Sequence, residues 1–461
     1  MDQCVKGGRP EGRLPMVAGA LLSLALAACS SVPPAPSGQA AKIDRGPATS
    51  SETIDRVWLI AGPRYPLSRE QRATTDPALT LGNLQSRITV LQRQLEERQD
   101  GMAAAQLSAA LLQRGQILGR LDDQPLALHW AEQAVAWRSD AAETWLAQAS
   151  AQAALHRFGP AQASLKQAMA LGLPAAASIG LQRDISVALG DYQSLSRDFE
   201  QAALPDGDFG TLTHRADLLL LKGDLRGASL WLRTAQDFYH DVNPLPLAWL
   251  YTQQGIALLR FGQIEEARVF FAAAHQRLPT YFLATEHLAE CETLLGNFDE
   301  ARKLYVQVVE QTGNPEFMAA LAELEQQVGD EVRAKDWRDL ADQGFQDLVT
   351  RDEAAHAAHA VEFWLETGRT DEEVLALARR NAERRADLAS LILAARAEFA
   401  LGAAERGCSL MARIDQTGLQ PPELTEVEHY RPRCAVGSSS ASKSGSFDRQ
   451  YHQKSTKLTG A

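Results

Sequence analysis

The residues that could carry catalysis form no complete set in this chain of 461 residues. His356 and His359 stand three apart in the sequence HAAH, so a helix would place them on one face, where Glu353 or Glu362 could join them around a metal ion. Two histidines without a third ligand at matching spacing are a weak metal signature. The sequence also contains no P-loop signature, no GxSxG and no HExxH. We therefore predict no catalytic residue, no metal site and no cofactor, and we expect that the protein is not an enzyme.

Residues 1–28 have the pattern of a signal peptide. Three basic residues, Lys6, Arg9 and Arg13, precede an uncharged run at 17–28 that ends in small residues. A permanent membrane-spanning helix needs about 20 apolar residues. The run is too short for that role, so we predict that it is cleaved.

Cys29 stands directly behind this run. Ordinary cleavage after Ala27 and Ala28 would leave Cys29 without a special role. The sequence LAAC at 26–29, however, resembles the lipobox of bacterial lipoproteins. The resemblance implies that the Cys29 thiol receives a diacylglycerol and that Cys29 becomes the mature N-terminus. Because Ser30 is not an aspartate, it also implies lipid anchoring at the periplasmic face of the outer membrane.

The amino-acid composition indicates which classes of partner and which cellular compartment suit the protein. A formal charge of −12 argues against nucleic-acid binding, which needs clustered Lys and Arg. Segments 29–52 and 437–461 are rich in small and polar residues, which predicts a flexible tether and a disordered tail. Cys408 and Cys434 could form a disulfide in an oxidising compartment, which would leave Cys291 as a free thiol.

The middle of the chain is repetitive. A glycine or aspartate stands five residues before a small residue, and a second small residue comes seven positions after the first. The segments GQIEEARVFFAAAHQRLP and GNFDEARKLYVQVVEQTG show this pattern. Seven residues are two helical turns, so both small residues lie on one face, where another helix can approach closely. The first small positions are Ala127, Ala161, Leu195, Ala228, Ala267, Ala301 and Ala334. These positions are spaced by 33 or 34 residues except for one interval of 39.

This pattern resembles the tetratricopeptide repeat family. The best match carries the family's residues at Tyr251, Gly255, Leu258, Ala267, Phe271, Ala274 and Pro279. The resemblance implies an all-α fold, a right-handed superhelical solenoid of antiparallel helix pairs with about seven repeats over 107–345. Such an array presents a long groove, and its usual work is binding.

The resemblance also implies which residues face a partner. Carried onto the best-matched repeats, the groove positions form a mixed apolar and acidic surface that suits protein or peptide segments. The predicted groove residues are Glu143, Leu146, Ser150, Trp249, Thr252, Ile256, Arg260, Glu286 and Glu290.

Two helical regions flank the predicted array. Leu84, Ile88, Leu91 and Leu95 repeat at helical spacing, which predicts an amphipathic helix. Region 53–106 is then an N-terminal cap, with a short coiled coil as the alternative. Region 346–436 is interpreted as degenerate helical repeats or as a C-terminal cap.

Together these features predict a membrane-anchored periplasmic lipoprotein that acts as a non-catalytic scaffold. Similar lipoproteins help to assemble cell-envelope complexes such as pili, secretion pores or exopolysaccharide machinery. The alternative is an enzyme or a ligand-binding receptor whose activity lies in a divergent C-terminal helical domain.

Overall fold

The computed structural model describes residues 73–201 and 209–434, and in these residues all regular structure is helical. Cys29, the predicted signal peptide, the tether and the tail from 437 lie outside the described residues. No helix in the described part is long and apolar enough to cross a membrane.

The described residues form twenty α-helices and one short 3-10 helix. The first ten are α1 (Pro77–Glu97), α2 (Gly101–Leu118), α3 (Asp123–Trp137), α4 (Ala142–Ala154), α5 (Phe158–Ala170), α6 (Ala175–Ala188), α7 (Tyr192–Gln201), α8 (Phe209–Leu221), α9 (Leu225–Phe238) and α10 (Pro244–Arg260). The second ten are α11 (Ile264–Arg277), α12 (Phe282–Leu294), α13 (Phe298–Thr312), α14 (Pro315–Val328), α15 (Glu331–Arg351), α16 (Glu353–Glu366), α17 (Glu372–Arg384), α18 (Leu388–Ala400), α19 (Ala404–Gln416) and α20 (Thr425–Glu428). The 3-10 helix, Pro422–Leu424, directly precedes α20.

Tight turns join the two helices of each pair. Gly262 and Gly296 adopt φ values of 73° and 80° between α10 and α11 and between α12 and α13. Glycine reaches this left-handed region without the steric cost of a Cβ atom. The helices that follow carry acidic residues in their first turns, Glu265 and Glu266 in α11, where they complement the positive end of the helix dipole.

The small positions of the repeat are the contact surface between helices. The alanines at the first position are fully buried, and Leu195 is 2% exposed. At the second position, Ala134, Ala168, Ala235, Ala274, Val308 and Ala341 are buried as well, while Ala202 falls outside the described residues. The predicted all-α solenoid of helix pairs is therefore confirmed.

Helix α1 covers the start of the array. Its buried residues are Leu84, Ile88, Leu91 and Leu95, the four with helical spacing, and they join the main hydrophobic core. Asp100 begins α2 by accepting hydrogen bonds from the backbone N–H groups of Met102 and Ala103.

The sequence-based borders of the array differ from the helix bounds. The border at 106/107 lies inside α2, and the border at 345/346 lies inside α15. Region 346–436 contains two regular helix pairs, α16 with α17 and α18 with α19. Cys408 and Cys434 are joined by a disulfide, with their Cα atoms 5.4 Å apart, and Cys291 is a buried free thiol.

The array folds back on itself, so that its C-terminal helices contact its N-terminal half. The hydroxyl of Tyr192 accepts a hydrogen bond from the Leu388 N–H (2.8 Å), and Gln420 N–H donates to the carbonyl of Leu221 (2.9 Å). Tyr192 also belongs to a hydrophobic cluster built mainly by α18 and α19. The inner helix faces are therefore more enclosed than those of an open solenoid.

An acidic groove on the inner helices

The first helices of three successive pairs, α12, α14 and α16, lie side by side. Each contributes two glutamates at helical spacing, so both side chains of a helix share one face. We call this surface the acidic groove; it consists of Glu286, Glu290, Glu316, Glu323, Glu362 and Glu366.

The six glutamates form two rows across the helices. In the inner row, Glu316 acts electrostatically on both Glu286 and Glu362. In the outer row, Glu290 acts on Glu323, which in turn acts on Glu366. Glu286 and Glu316 are buried, whereas Glu366 is exposed at the rim. The carboxyl groups thus form a continuous series from the surface to the interior.

A cleft opens between α14 and α16 in the outer row. It has a volume of about 300 Å³, and Glu323 and Glu366 line it. Ala319, Ala322 and Phe363 give it apolar surface beside the carboxylates. Long cationic side chains pack their methylene stems on apolar surface and place their charged ends against carboxylates, so the cleft has the chemistry to receive Lys or Arg.

Burial and mutual repulsion disfavour the ionised form of the groove glutamates. Burial, together with the charges of Glu290 and Glu316, raises the pKa of Glu286 to about 8 against the opposing effect of His287. Burial and the charge of Glu290 raise the pKa of Glu323 to about 7 against the opposing effect of Arg338. Both effects disfavour the charged form of a carboxylate, and a bound cation would relieve them.

Other buried glutamates of the same array are neutralised by arginine. Each of these glutamates lies on a first helix and pairs with an arginine of a neighbouring second helix. The pairs are Arg268–Glu292, Arg302–Glu325 and Arg379–Glu398, with N···O distances of 2.6, 2.6 and 2.7 Å. In the described part of the chain, by contrast, Glu323 and Glu366 form no ion pair within 4.0 Å. Glu323 and Glu366 therefore differ from the glutamates that only support the fold.

Of the predicted groove residues, only Glu286 and Glu290 lie in the acidic groove. Trp249, Thr252 and Ile256 are buried in the main core and cannot meet a partner, because the array folds back and closes over α10. Arg260 is not free either, since its guanidinium binds Glu423 through two hydrogen bonds of 2.5 and 2.7 Å.

The remaining predicted residues lie on α4, away from this groove. Glu143 is exposed, while Leu146 and Ser150 are partly buried. Sequence reasoning missed Glu316, Glu323 and Glu366 and considered Glu362 only as a metal ligand, although extending the repeat register into α14 and α16 would have placed acidic residues on their inner faces.

Among the described residues, the histidine pair of α16 belongs to no group of three converging metal-ligand atoms. Burial lowers the pKa of His356 to about 4. His359 instead faces the groove, with Nδ1 3.6 Å from Glu316 Oε1. The two side chains therefore lie in different environments.

The raised pKa of Glu323 predicts a pH-dependent effect of replacing it. A carboxyl whose folded pKa lies above its unfolded value stabilises the folded state fully below the unfolded pKa, and that contribution is lost as pH rises through about 7. Because Glu323→Gln cannot ionise, we expect it to gain about 1–2 kcal/mol relative to the wild type between pH 4.5 and pH 8, allowing for partial exposure. Urea unfolding at both pH values measures this, with exposed Glu97→Gln as the control. An equal difference at both pH values would contradict the prediction.

Comparison with known proteins identifies the repeats. The tetratricopeptide repeat model matches residues 258–328, which include α11, α12, α13 and α14. No curated protein sequence matches the chain.

Several solved structures resemble the fold at low identity. The P58(IPK) TPR domain is 11% identical, with a TM-score of 0.28, and the match covers 78% of this chain and 96% of that one. Yeast Tom70 is 13% identical, with a TM-score of 0.31 and coverage of 78% and 94%. Pseudomonas aeruginosa pilF is 14% identical, with a TM-score of 0.28 and coverage of 58% and 97%.

The family match overlaps the repeat at 251–279, which the sequence analysis identified as the best match. The described helices of this part form the antiparallel pairs that such repeats contain. Residues 258–328 are therefore tetratricopeptide repeats within an all-α solenoid of helix pairs, and repeats of this type serve as a scaffold for protein–protein interaction.

Proposed function

We propose that this protein is a non-catalytic scaffold whose acidic groove binds a positively charged segment of a partner protein. The observation that carries the proposal is the cleft between α14 and α16, where Glu323 and Glu366 flank apolar surface and, although Arg338 also lines the cleft, form no ion pair within 4.0 Å in the described part of the chain. Lys and Arg side chains of a peptide would satisfy both surfaces at once. The buried Arg–Glu pairs within the array show the same kind of contact between a guanidinium and a carboxylate.

We further propose that the scaffold is lipid-anchored through Cys29 at the periplasmic face of the outer membrane and acts in assembly of a cell-envelope complex. The sequence LAAC at 26–29 supports the anchor. The Cys408–Cys434 disulfide supports an oxidising compartment. A fixed anchor with a flexible tether would keep the groove near partners at one surface.

The binding site can be tested by photo-cross-linking in native cells. A photoreactive amino acid at Gln326, which lines the cleft, is expected to capture a discrete partner through a segment rich in Lys or Arg. The double variant Glu323→Gln/Glu366→Gln should remove most of that product. The same photoreactive group at Val332, which is 72% exposed and does not line the cleft, is the control. Capture of an uncharged segment, or equal products at both positions, would contradict the proposal.

The anchor has its own test. Cys29→Ala is expected to move the protein from the membrane fraction to the soluble periplasmic fraction, because two or more acyl chains are needed for stable anchoring. Fractionation with a labelled lipid precursor measures this, and Cys4→Ala is the matched control. Wild-type protein that stays in the membrane fraction without incorporating the lipid label would rule out the anchor.

A further inference from the structure

We propose that Glu286, His287 and Glu290 of α12 bind one divalent transition-metal ion at the inner end of the acidic groove. An imidazole nitrogen with two carboxylate oxygens is a donor set that suits zinc and neighbouring first-row metals. The proposal goes beyond partner binding at the outer cleft and does not depend on it.

The three donor atoms already converge. His287 Nδ1 lies 3.1 Å from Glu286 Oε2 and 3.0 Å from Glu290 Oε2. All three atoms can lie within 4.8 Å of one another. Ligands held about 2.0–2.1 Å from a tetrahedral zinc are about 3.3 Å apart, so small side-chain shifts would complete the geometry.

The buried carboxylates of this cluster have too few hydrogen-bond donors around them. The single Nδ1 of His287 faces two carboxylates, and one N–H cannot satisfy both fully. Glu286 is 2% exposed, and its second oxygen, Oε1, has no hydrogen-bond partner among the described residues. A buried carboxylate oxygen without a partner is destabilising, and a metal ion would remove that cost.

Apart from His287 itself, the charged groups of the described residues that act on Glu286 are acidic. Glu316 of α14 is the nearest further charge acting on Glu286, and it is also acidic. Tyr305 of α13 is buried beside both glutamates. A divalent ion is therefore the simplest partner for three buried carboxylates and one imidazole.

The imidazole is held in place by packing. The His287 ring stacks on Phe271 with centroids 5.0 Å apart and an interplanar angle of 24°. Phe271 in turn fills the space above Gly255, where a Cβ atom would lie 2.6 Å from its ring. Such support fixes the orientation of a ligand before the metal arrives and is the usual requirement of a tight site.

The test uses the purified mature chain, stripped with a chelator and titrated with Zn²⁺ by calorimetry. We expect one ion per chain and at least a tenfold weaker affinity in His287→Gln and in Glu290→Gln. The variant His129→Gln, which replaces an exposed histidine of α3, is the matched control and should bind as the wild type does. Visible absorption of Co²⁺ at the same site should appear in the wild type and disappear in His287→Gln.

Two results would overturn the metal site: absence of stoichiometric binding, or binding that is unchanged in His287→Gln and Glu290→Gln. The first would mean that the imidazolium alone neutralises the two glutamates. Circular dichroism of each variant ensures that loss of binding is not loss of folding, and Glu286→Gln provides a second conservative probe. Cross-linking at Gln326 reports on the outer cleft separately, so failure of one proposal does not imply failure of the other.

Discussion

Replacing Arg260 by Met is expected to lower the free energy of unfolding by about 3–5 kcal/mol. Arg260 of α10 and Glu423 of the C-terminal 3-10 helix form a two-bond ion pair, and their side chains are only 8% and 11% exposed. Removing the guanidinium leaves the Glu423 carboxylate buried near Glu426 without compensation. Chemical unfolding followed by circular dichroism measures the loss.

Two variants separate this effect from a general loss of an arginine. Arg333→Met breaks the more exposed pair with Asp330 and a longer contact of 3.7 Å with Glu325, which keeps Arg302 as its partner, and should cost less than about 1 kcal/mol. The double variant Arg260→Met/Glu423→Gln removes both charges and should recover much of the stability. A loss as small as that of Arg333→Met would show that Arg260 does not hold the C-terminal segment against α10.

Replacing Gly255 by Ala is expected to destabilise the protein by about 1–3 kcal/mol. The added Cβ would lie 2.6 Å from a ring carbon of Phe271, which is fully buried and cannot move aside. Two helices of the best-matched repeat, α10 and α11, would be forced apart. The change also disturbs the ring that stacks on His287, so it should weaken Zn²⁺ binding.

Gly82→Ala is the matched control for this substitution. Gly82 lies in α1, and an added Cβ would meet nothing within 4 Å. Alanine is a better helix former than glycine by about 1 kcal/mol, so this variant should be as stable as the wild type or more so. Equal effects at both glycines would contradict the close packing at Gly255.

The repeat itself could be predicted because it depends on local spacing. The small residues at Ala267 and Ala274 must share a helix face whatever surrounds them, since seven residues make two turns. Both are fully buried against neighbouring helices. The same logic predicted α1 from its four apolar residues, all of which are buried.

The groove could be predicted only in part. Glu286 and Glu290 were found because the family register applies to α12 directly. Trp249 was placed in the groove by the same register, yet it is 1% exposed and packs against Phe209, whose ring in turn contacts Tyr239. A register assigns the inner side of a helix, but it does not reveal whether that side remains open.

The sequence alone therefore determined the unit of this protein: paired helices, their alanine contact faces, their glycine turns and the family to which they belong. Only the tertiary structure decided what the units form together. Contacts such as Tyr192 with Leu388 and Arg260 with Glu423 join residues far apart in the chain. They close the array over α10, while the acidic groove of α12, α14 and α16 reaches the exterior at Glu366. The physical reason is that helix periodicity is set within a few residues, whereas burial and electrostatic coupling depend on which distant helices meet.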